Sequence, residues 1–168
     1  GLQFFAGNKA IFTDNLYFQP YLNGVPVKGD EEVIAGENKP VNLSMRLYVD
    51  GQEGLWNEKK YIEYVYTIQP DNYMVGFDVN LVGMNDVISS RGNIIDLLWS
   101  ANLRQQEKTV DRFNGSTIYY KFNDGDVDYM SETKDDYESF TDKIKWVSFK
   151  QHFFSSTIIS DEYFVNPV

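Results

Sequence analysis

The 168-residue chain is 42% hydrophobic and 16% aromatic, and it carries a formal net charge of −10. That composition excludes a disordered chain, and the negative surface argues against phosphate backbones and anionic lipid headgroups alike, so no nucleic-acid partner is expected and binding to anionic lipid is disfavoured. With no Cys and one His, the chain also excludes thiol catalysis, thiolate metal sites and a multi-His metal site of its own.

In chain order, residues 1–38 read as irregular strands. Leu2-Gln3-Phe4-Phe5 and Ile11-Phe12 are short apolar runs separated by Gly7-Asn8. Asn23-Gly24-Val25-Pro26 is a turn signal, and Lys28 to Glu32 is a polar loop. The clearest pattern begins at Val41. Val41, Leu43, Met45, Leu47 and Val49 alternate with Asn42, Ser44, Arg46 and Tyr48, the period of a half-buried strand with one wet face. Asp50 to Gly54 breaks the run. Ile62, Tyr64, Tyr66 and Ile68 then share one face, and after the turn Pro70-Asp71-Asn72 so do Tyr73, Val75, Phe77, Val79 and Leu81. Three consecutive antiparallel strands are expected, a meander.

Residues 94–103 fit a helix through Ile94, Ile95, Leu98 and Trp99. They also fit a strand through Ile95, Leu97, Trp99, Ala101 and Leu103, and the strand, which explains five alternate positions, is preferred. Ile118, Tyr120 and Phe122 make another strand after the turn Asn114-Gly115-Ser116, and the acidic stretch 123–143 reads as a loop. From Ile144 the period changes: Trp146, Phe149, Lys150 and Phe153 stand at helical spacing, as do Val147 and Phe154. A helix of about three turns is expected there, with Thr157-Ile158-Ile159 as a strand after it. The fold class is thus mainly β, with one short helical segment near the C-terminus. A chain of this length suggests a single domain over residues 1–168. No apolar run approaches the ~20 residues of a spanning helix.

The chemical motifs are weak. Asp124, Asp126 and Asp128 are spaced like the start of a calcium loop, but Tyr129 and Asp135 stand where that loop needs Gly and Glu, so a solvated acidic loop is the better reading. Carboxylate pairs such as Glu31-Glu32 and Asp135-Asp136 lie in polar stretches that do nothing to separate their pKa values. His152, the sole candidate base, sits in the aromatic run Phe149 to Phe154 and reads as a packed structural residue. Neither GxGxxG nor GxxxxGK[ST] occurs. No catalytic residue, metal site or cofactor is expected.

Residues 144–156, IKWVSFKQHFFSS, resemble the W-V-x-F-K-Q-x-F-F-S-S signature of YidC-type membrane protein insertases from Bacteroidetes-like bacteria. Tyr61 to Leu81 is similar to the strand, turn and Y-x-V-x-F strand of that family. Trp99 with Leu103-Arg104-Gln105-Gln106-Glu107-Lys108 resembles its W-x-x-x-L-x-x-Q-E-K element, and Ile118-Tyr119-Tyr120 before Asp126-Val127-Asp128 resembles its IYY…DVD segment. The resemblance covers about residues 40 to 160.

It implies the first extracytoplasmic domain of an insertase, folded as an antiparallel β-supersandwich similar to sugar mutarotases. The complete protein would be a multi-pass inner-membrane protein with this domain on the periplasmic face. It would assist insertion and folding of inner-membrane proteins, alone or with the Sec translocon. The implied partners are Sec accessory subunits and nascent membrane proteins. The domain itself would be no enzyme. Gly1 reads as a residue left by cloning and the chain as a fragment of the larger supersandwich, lacking strands at both ends. Exposed strand edges would then promote a homo-oligomer. Trp146, Phe149, Lys150, Gln151, Phe153 and Phe154 are the residues expected to matter, the aromatics pinning the helix to the sheets and Lys150 and Gln151 more exposed. The alternative is a carbohydrate-binding or mutarotase-like sandwich, which would need aromatic platforms beside paired acid and base groups.

Overall fold

The computed structural model describes residues 1–30, 32–36, 39–49, 51–52, 55–88, 94–104, 108, 115–131 and 134–168. Glu31 of the first carboxylate pair, Asp50, Glu53 and Gly54 of the break after Val49, Gln105-Gln106-Glu107 of the tryptophan element, and Asn114 of the turn before Ile118 lie outside the described residues. The strands are β1 (Leu2–Ala6), β2 (Lys9–Phe12), β3 (Gln19–Leu22), β4 (Val25–Pro26), β5 (Val41–Tyr48), β6 (Gly51–Gln52), β7 (Leu55–Trp56), β8 (Tyr61–Ile68), β9 (Val75–Val82), β10 (Asp96–Leu97), β11 (Thr117–Phe122), β12 (Val127–Tyr129), β13 (Ile144–Lys150) and β14 (Ser155–Phe164). A single 3₁₀ turn at Thr13–Asn15 is the only helical element among the described residues, and none of their helices is long and apolar enough to cross a membrane. Every strand pairing is antiparallel. The mainly β, antiparallel expectation holds.

The chain forms two compact units, Gly1–Trp99 and Ser100–Val168. In the first, a five-stranded sheet runs β4-β3-β5-β8-β9 and a three-stranded sheet runs β10-β1-β2, with β6-β7 as a small separate hairpin. The expected meander is β5-β8-β9. Val41 pairs with Ile68, Tyr48 with Tyr61, Ile68 with Val75 and Tyr61 with Val82, with no slip between them. Partners opposite one another share a face. Val41, Leu43, Met45 and Leu47 therefore line up with Ile62, Tyr64, Tyr66 and Ile68 and with Val75, Phe77, Val79 and Leu81. Asn42, Ser44, Arg46, Glu63, Thr67, Asp78 and Asn80 fall on the other face.

The three-stranded sheet covers part of the apolar face. Leu2, Phe4, Leu47, Ile62, Tyr64 and Met84 form the buried cluster, with Ala6, Ile11, Phe18, Met45, Val49 and Ile95 packed against it. Inside this sandwich the Leu2 N–H donates to Thr13 Oγ1 at 2.7 Å, and that hydroxyl shares a 2.6 Å hydrogen bond with the Tyr64 hydroxyl. The buried polar atoms are thus satisfied, as a low-dielectric core demands.

Turn chemistry fixes the register. Asn23 and Gly24, with φ of 48° and 82°, join Leu22 to its partner Val25, the two-residue turn whose twist suits a hairpin. After β9, Gly83 has φ +62°, and a Cβ there would lie 2.1 Å from the Lys59 carbonyl oxygen. Only glycine fits that position.

Among its described residues the second unit has a single four-stranded sheet, β12-β11-β13-β14. It overturns the expected helix. Residues 144–150 are a strand, with Thr117 opposite Lys150 on one side and Ser155 opposite Lys150 on the other. The helical spacing of Trp146, Phe149 and Phe153 was real, but alternation within Ile144 to Lys150 supports a strand too. Two flanking strands satisfy its backbone groups, and cross-strand pairing decides. Two smaller differences follow. The expected strand over 95–103 shortens to Asp96–Leu97, and Val127–Tyr129 inside the expected acidic loop pairs with Tyr119 to Lys121 as a short edge strand.

Candidate interaction surfaces

Three surfaces can meet a partner. The first is the polar face of the five-stranded sheet. Arg46 and Glu63 are opposite each other, and Arg46 Nε donates to Glu63 Oε1 at 2.8 Å. Asn80, next across on β9, donates through Nδ2 to Glu63 Oε2 at 3.1 Å. The Arg46 guanidinium lies over the rings of Tyr21 at 4.2 Å and Tyr61 at 4.9 Å. Partial burial acts to raise the Glu63 carboxyl, but hydrogen bonds from Arg46, Asn80 and Ser44 outweigh it and hold its pKa below the usual carboxylate range. Thr67 completes the ladder by donating to Asn42 Oδ1 at 3.0 Å. A sugar site would need open aromatic platforms beside the acid. Here guanidinium already covers the rings of Tyr21 and Tyr61, and the carboxylate is engaged.

The second surface is the rim at β9. Val75, Phe77, Val79 and Leu81 are 36–52% exposed, although their cross-strand partners run into the core. The covering sheet stops short of them, and among the described residues β9 has a hydrogen-bonded neighbour on one side only. It carries no Lys and no Pro, the residues that usually blunt an edge. At the opposite rim β4 is two residues long and ends in Pro26.

The third surface contains the residues singled out from the sequence. Pairing puts Trp146 opposite Lys121 and Ile159, while Phe149 faces Ile118 and Ser156. Trp146 and Phe149 therefore lie on opposite faces of the sheet instead of sharing a helical stripe. Both are half-buried, as are Lys150 and Gln151. Phe153 and Phe154, expected to anchor a helix, are 70% and 67% exposed in the turn between β13 and β14. Gln151 N–H donates to Phe154 O at 2.7 Å to close that turn, and Gln151 Nε2 donates to the Arg104 carbonyl at 3.1 Å. His152 is exposed there, its ring edge-on to Phe153 with centroids 4.0 Å apart.

What holds this unit together lies elsewhere, in residues the sequence reading passed over as candidates. Tyr120 is buried and packs with Phe122 and Phe140, with centroids 4.6–6.0 Å apart. Its hydroxyl donates to Glu138 Oε2 at 3.0 Å. Burial, and then the Glu138 carboxylate, push the Tyr120 hydroxyl up to about 12. Phe140 sits in the polar stretch 123–143, where an isolated aromatic was the available signal.

Among the described residues, no group of three or more His, Cys, Asp or Glu could hold a metal ion. Asp124 and Asp126 lie exposed around the turn after β11, and Asp128 is exposed on β12.

Comparison with known sequences gives a consistent answer. The family described as the YidC periplasmic domain matches residues 31–166, which run through both units. The membrane protein insertase YidC of Parabacteroides distasonis is 36% identical over 162 residues, covering 95% of this chain and 22% of the relative. The protein of the same name from Bacteroides fragilis is 35% identical over 124 residues, 73% of this chain and 19% of the relative. That of Porphyromonas gingivalis is 30% identical over 161 residues, 95% and 22%. The chain spans about a fifth of the length of these curated relatives. No solved structure matches it.

Proposed function

We propose, from the premise that this chain belongs to the YidC periplasmic-domain family, that it is a non-enzymatic interaction domain of a membrane protein insertase. The family match across residues 31–166 carries the reading, because it spans both compact units and places neither in an unrelated protein. In the complete protein, multi-pass and in the inner membrane, the domain stands on the periplasmic side. Residues 1–168 then form part of one larger domain. Its role is to assist insertion and folding of nascent membrane proteins, alone or beside the Sec translocon, whose accessory subunits are the neighbouring partners.

The half-open apolar face at β9 supports a contact role, since exposed patches of this kind mark interaction sites. The test is site-specific photocrosslinking in the complete insertase during membrane protein synthesis, with probes at Phe77 and Val79. Adducts with a nascent membrane protein or a Sec subunit are expected. Probes that give neither, in an insertase that remains active, would refute the contact role.

The β9 rim also favours self-association of the isolated chain by edge pairing. Scattering across a wide concentration range should show a dimer appearing. Substituting Val79→Lys, a charge on the rim, should return the monomer.

A further inference from the structure

We infer that the tip of the β13–β14 hairpin seats in the headgroup region of an anionic lipid bilayer. The inference deepens the family reading, which puts the domain beside a membrane. The choice of the tip comes from its own geometry. Phe153 and Phe154 present two adjacent rings beyond the last paired residues, Lys150 and Ser155, and both rings are about two-thirds exposed. A convex pair of rings at the end of a turn suits a soft interface, where aromatic side chains settle at headgroup depth.

The register sorts charge along the same sheet. Of the three lysines between Lys143 and Ser160, Lys150 is at the tip end, while Lys143 and Lys145 are at the far end, where the Asn123 N–H donates to the Lys143 carbonyl and Lys145 Nζ donates to the Asp161 and Glu162 carbonyls. Lys150 and Arg104 stand at the Phe153 end. The opposite end holds Asp124 and Asp126 around the turn after β11, Asp142 before β13, and Asp161 and Glu162 in the last part of β14, with Lys121, Lys143 and Lys145 among them. Asp136 is on the tip side, where it accepts from the Ser131 N–H beyond β12, but β12 is two strands away from β13. The chain's charge of −10 opposes an anionic surface as a whole, but the tip sets Lys150 and Arg104 against Asp136 while the far end sets five acids against three lysines, so an anionic surface meets the tip in preference to the far end. Two rings and a few cations make an auxiliary contact for a domain already held near the membrane, since weak single signals anchor only in combination.

The absence of cysteine makes the test direct. Single variants His152→Cys and Asp124→Cys are labelled with an environment-sensitive fluorophore. Each is tethered through a terminal histidine tag to chelator lipid in phosphatidylglycerol–phosphatidylethanolamine vesicles. The probe at 152 should shift to the blue and be quenched by lipid-borne nitroxide, and the probe at 124 should do neither. Adding Phe153→Ser and Phe154→Ser should abolish the difference while circular dichroism and the thermal melt stay unchanged. Equal behaviour at the two positions overturns the inference. So does a blue shift at 152 without vesicles, which would assign the tip to a protein partner or a second copy. Equal quenching on phosphatidylcholine vesicles overturns the choice of an anionic surface. None of these readouts involves insertion activity, so they can fail while the crosslinks at Phe77 and Val79 succeed, and the reverse.

Discussion

The two units are built from the same antiparallel pairing and bury their strands very differently. In Gly1–Trp99 a second sheet lies over the first, and Leu2, Phe4, Ile62 and Met84 are at most 3% exposed. In Ser100–Val168 one sheet stands alone among the described residues, and its buried apolar side chains are Tyr120 and Ile144. Alternation makes a strand amphipathic, but a facing layer is what removes the apolar side from water. The first unit is held by area and the second by a few aromatic contacts and a tyrosine–carboxylate hydrogen bond.

The comparison breaks most readily at the centre of the sandwich. Ile62 is fully buried between two layers, so Ile62→Ala should cost about 2–5 kcal/mol, read as a lower midpoint in urea unfolding. A loss near zero would mean the layers do not pack. Next, Arg46→Ala strips the guanidinium from Glu63 and should cost about 1–3 kcal/mol. Because the folded Glu63 pKa is depressed, its contribution is present above the unfolded carboxylate pKa and is lost as pH falls through the folded one. Acid melts should therefore show a shallower decline in Arg46→Ala than in the parent.

In the second unit Tyr120→Phe keeps the ring and removes the bond to Glu138, for about 1 kcal/mol. The folded hydroxyl is raised, so its contribution is complete below the unfolded tyrosine pKa and disappears as pH rises toward about 12. Tyr21, Tyr64 and Tyr66 are raised as well, so both proteins should lose stability over that alkaline window, the parent more than the Phe variant. The smallest effect belongs to Phe153→Ser with Phe154→Ser, within about 0.5 kcal/mol by thermal melt, because neither ring is buried. A large loss there would restore the anchoring role expected from the sequence.

The meander from Val41 to Val82 was legible because one face is wet and the other packs, which writes period two into the residues. The strand at Ile144–Lys150 was not. Its sheet is covered too little for polarity to sort by face, so Trp146, Ser148 and Lys150 share one side while Val147 and Phe149 share the other. With both faces mixed, the three-and-four spacing of the aromatics looked helical. Ile158 and Ile159 in a β-branched run just after the FFSS turn were the signal for a hairpin. Family membership was readable from the same residues, because a linear motif survives a wrong secondary structure. The half-open rim at β9 could be anticipated only as an edge, since where a covering sheet ends is a tertiary fact.

The unequal rims of the five-stranded sheet limit how it can grow. Pro26 withholds an N–H at one rim, so an added strand joins along Val75–Val82. A copy that pairs there antiparallel to its twin consumes both available rims at once. Stacking through this sheet therefore stops at two molecules, as a closed two-fold pair, and cannot run on into a fibre.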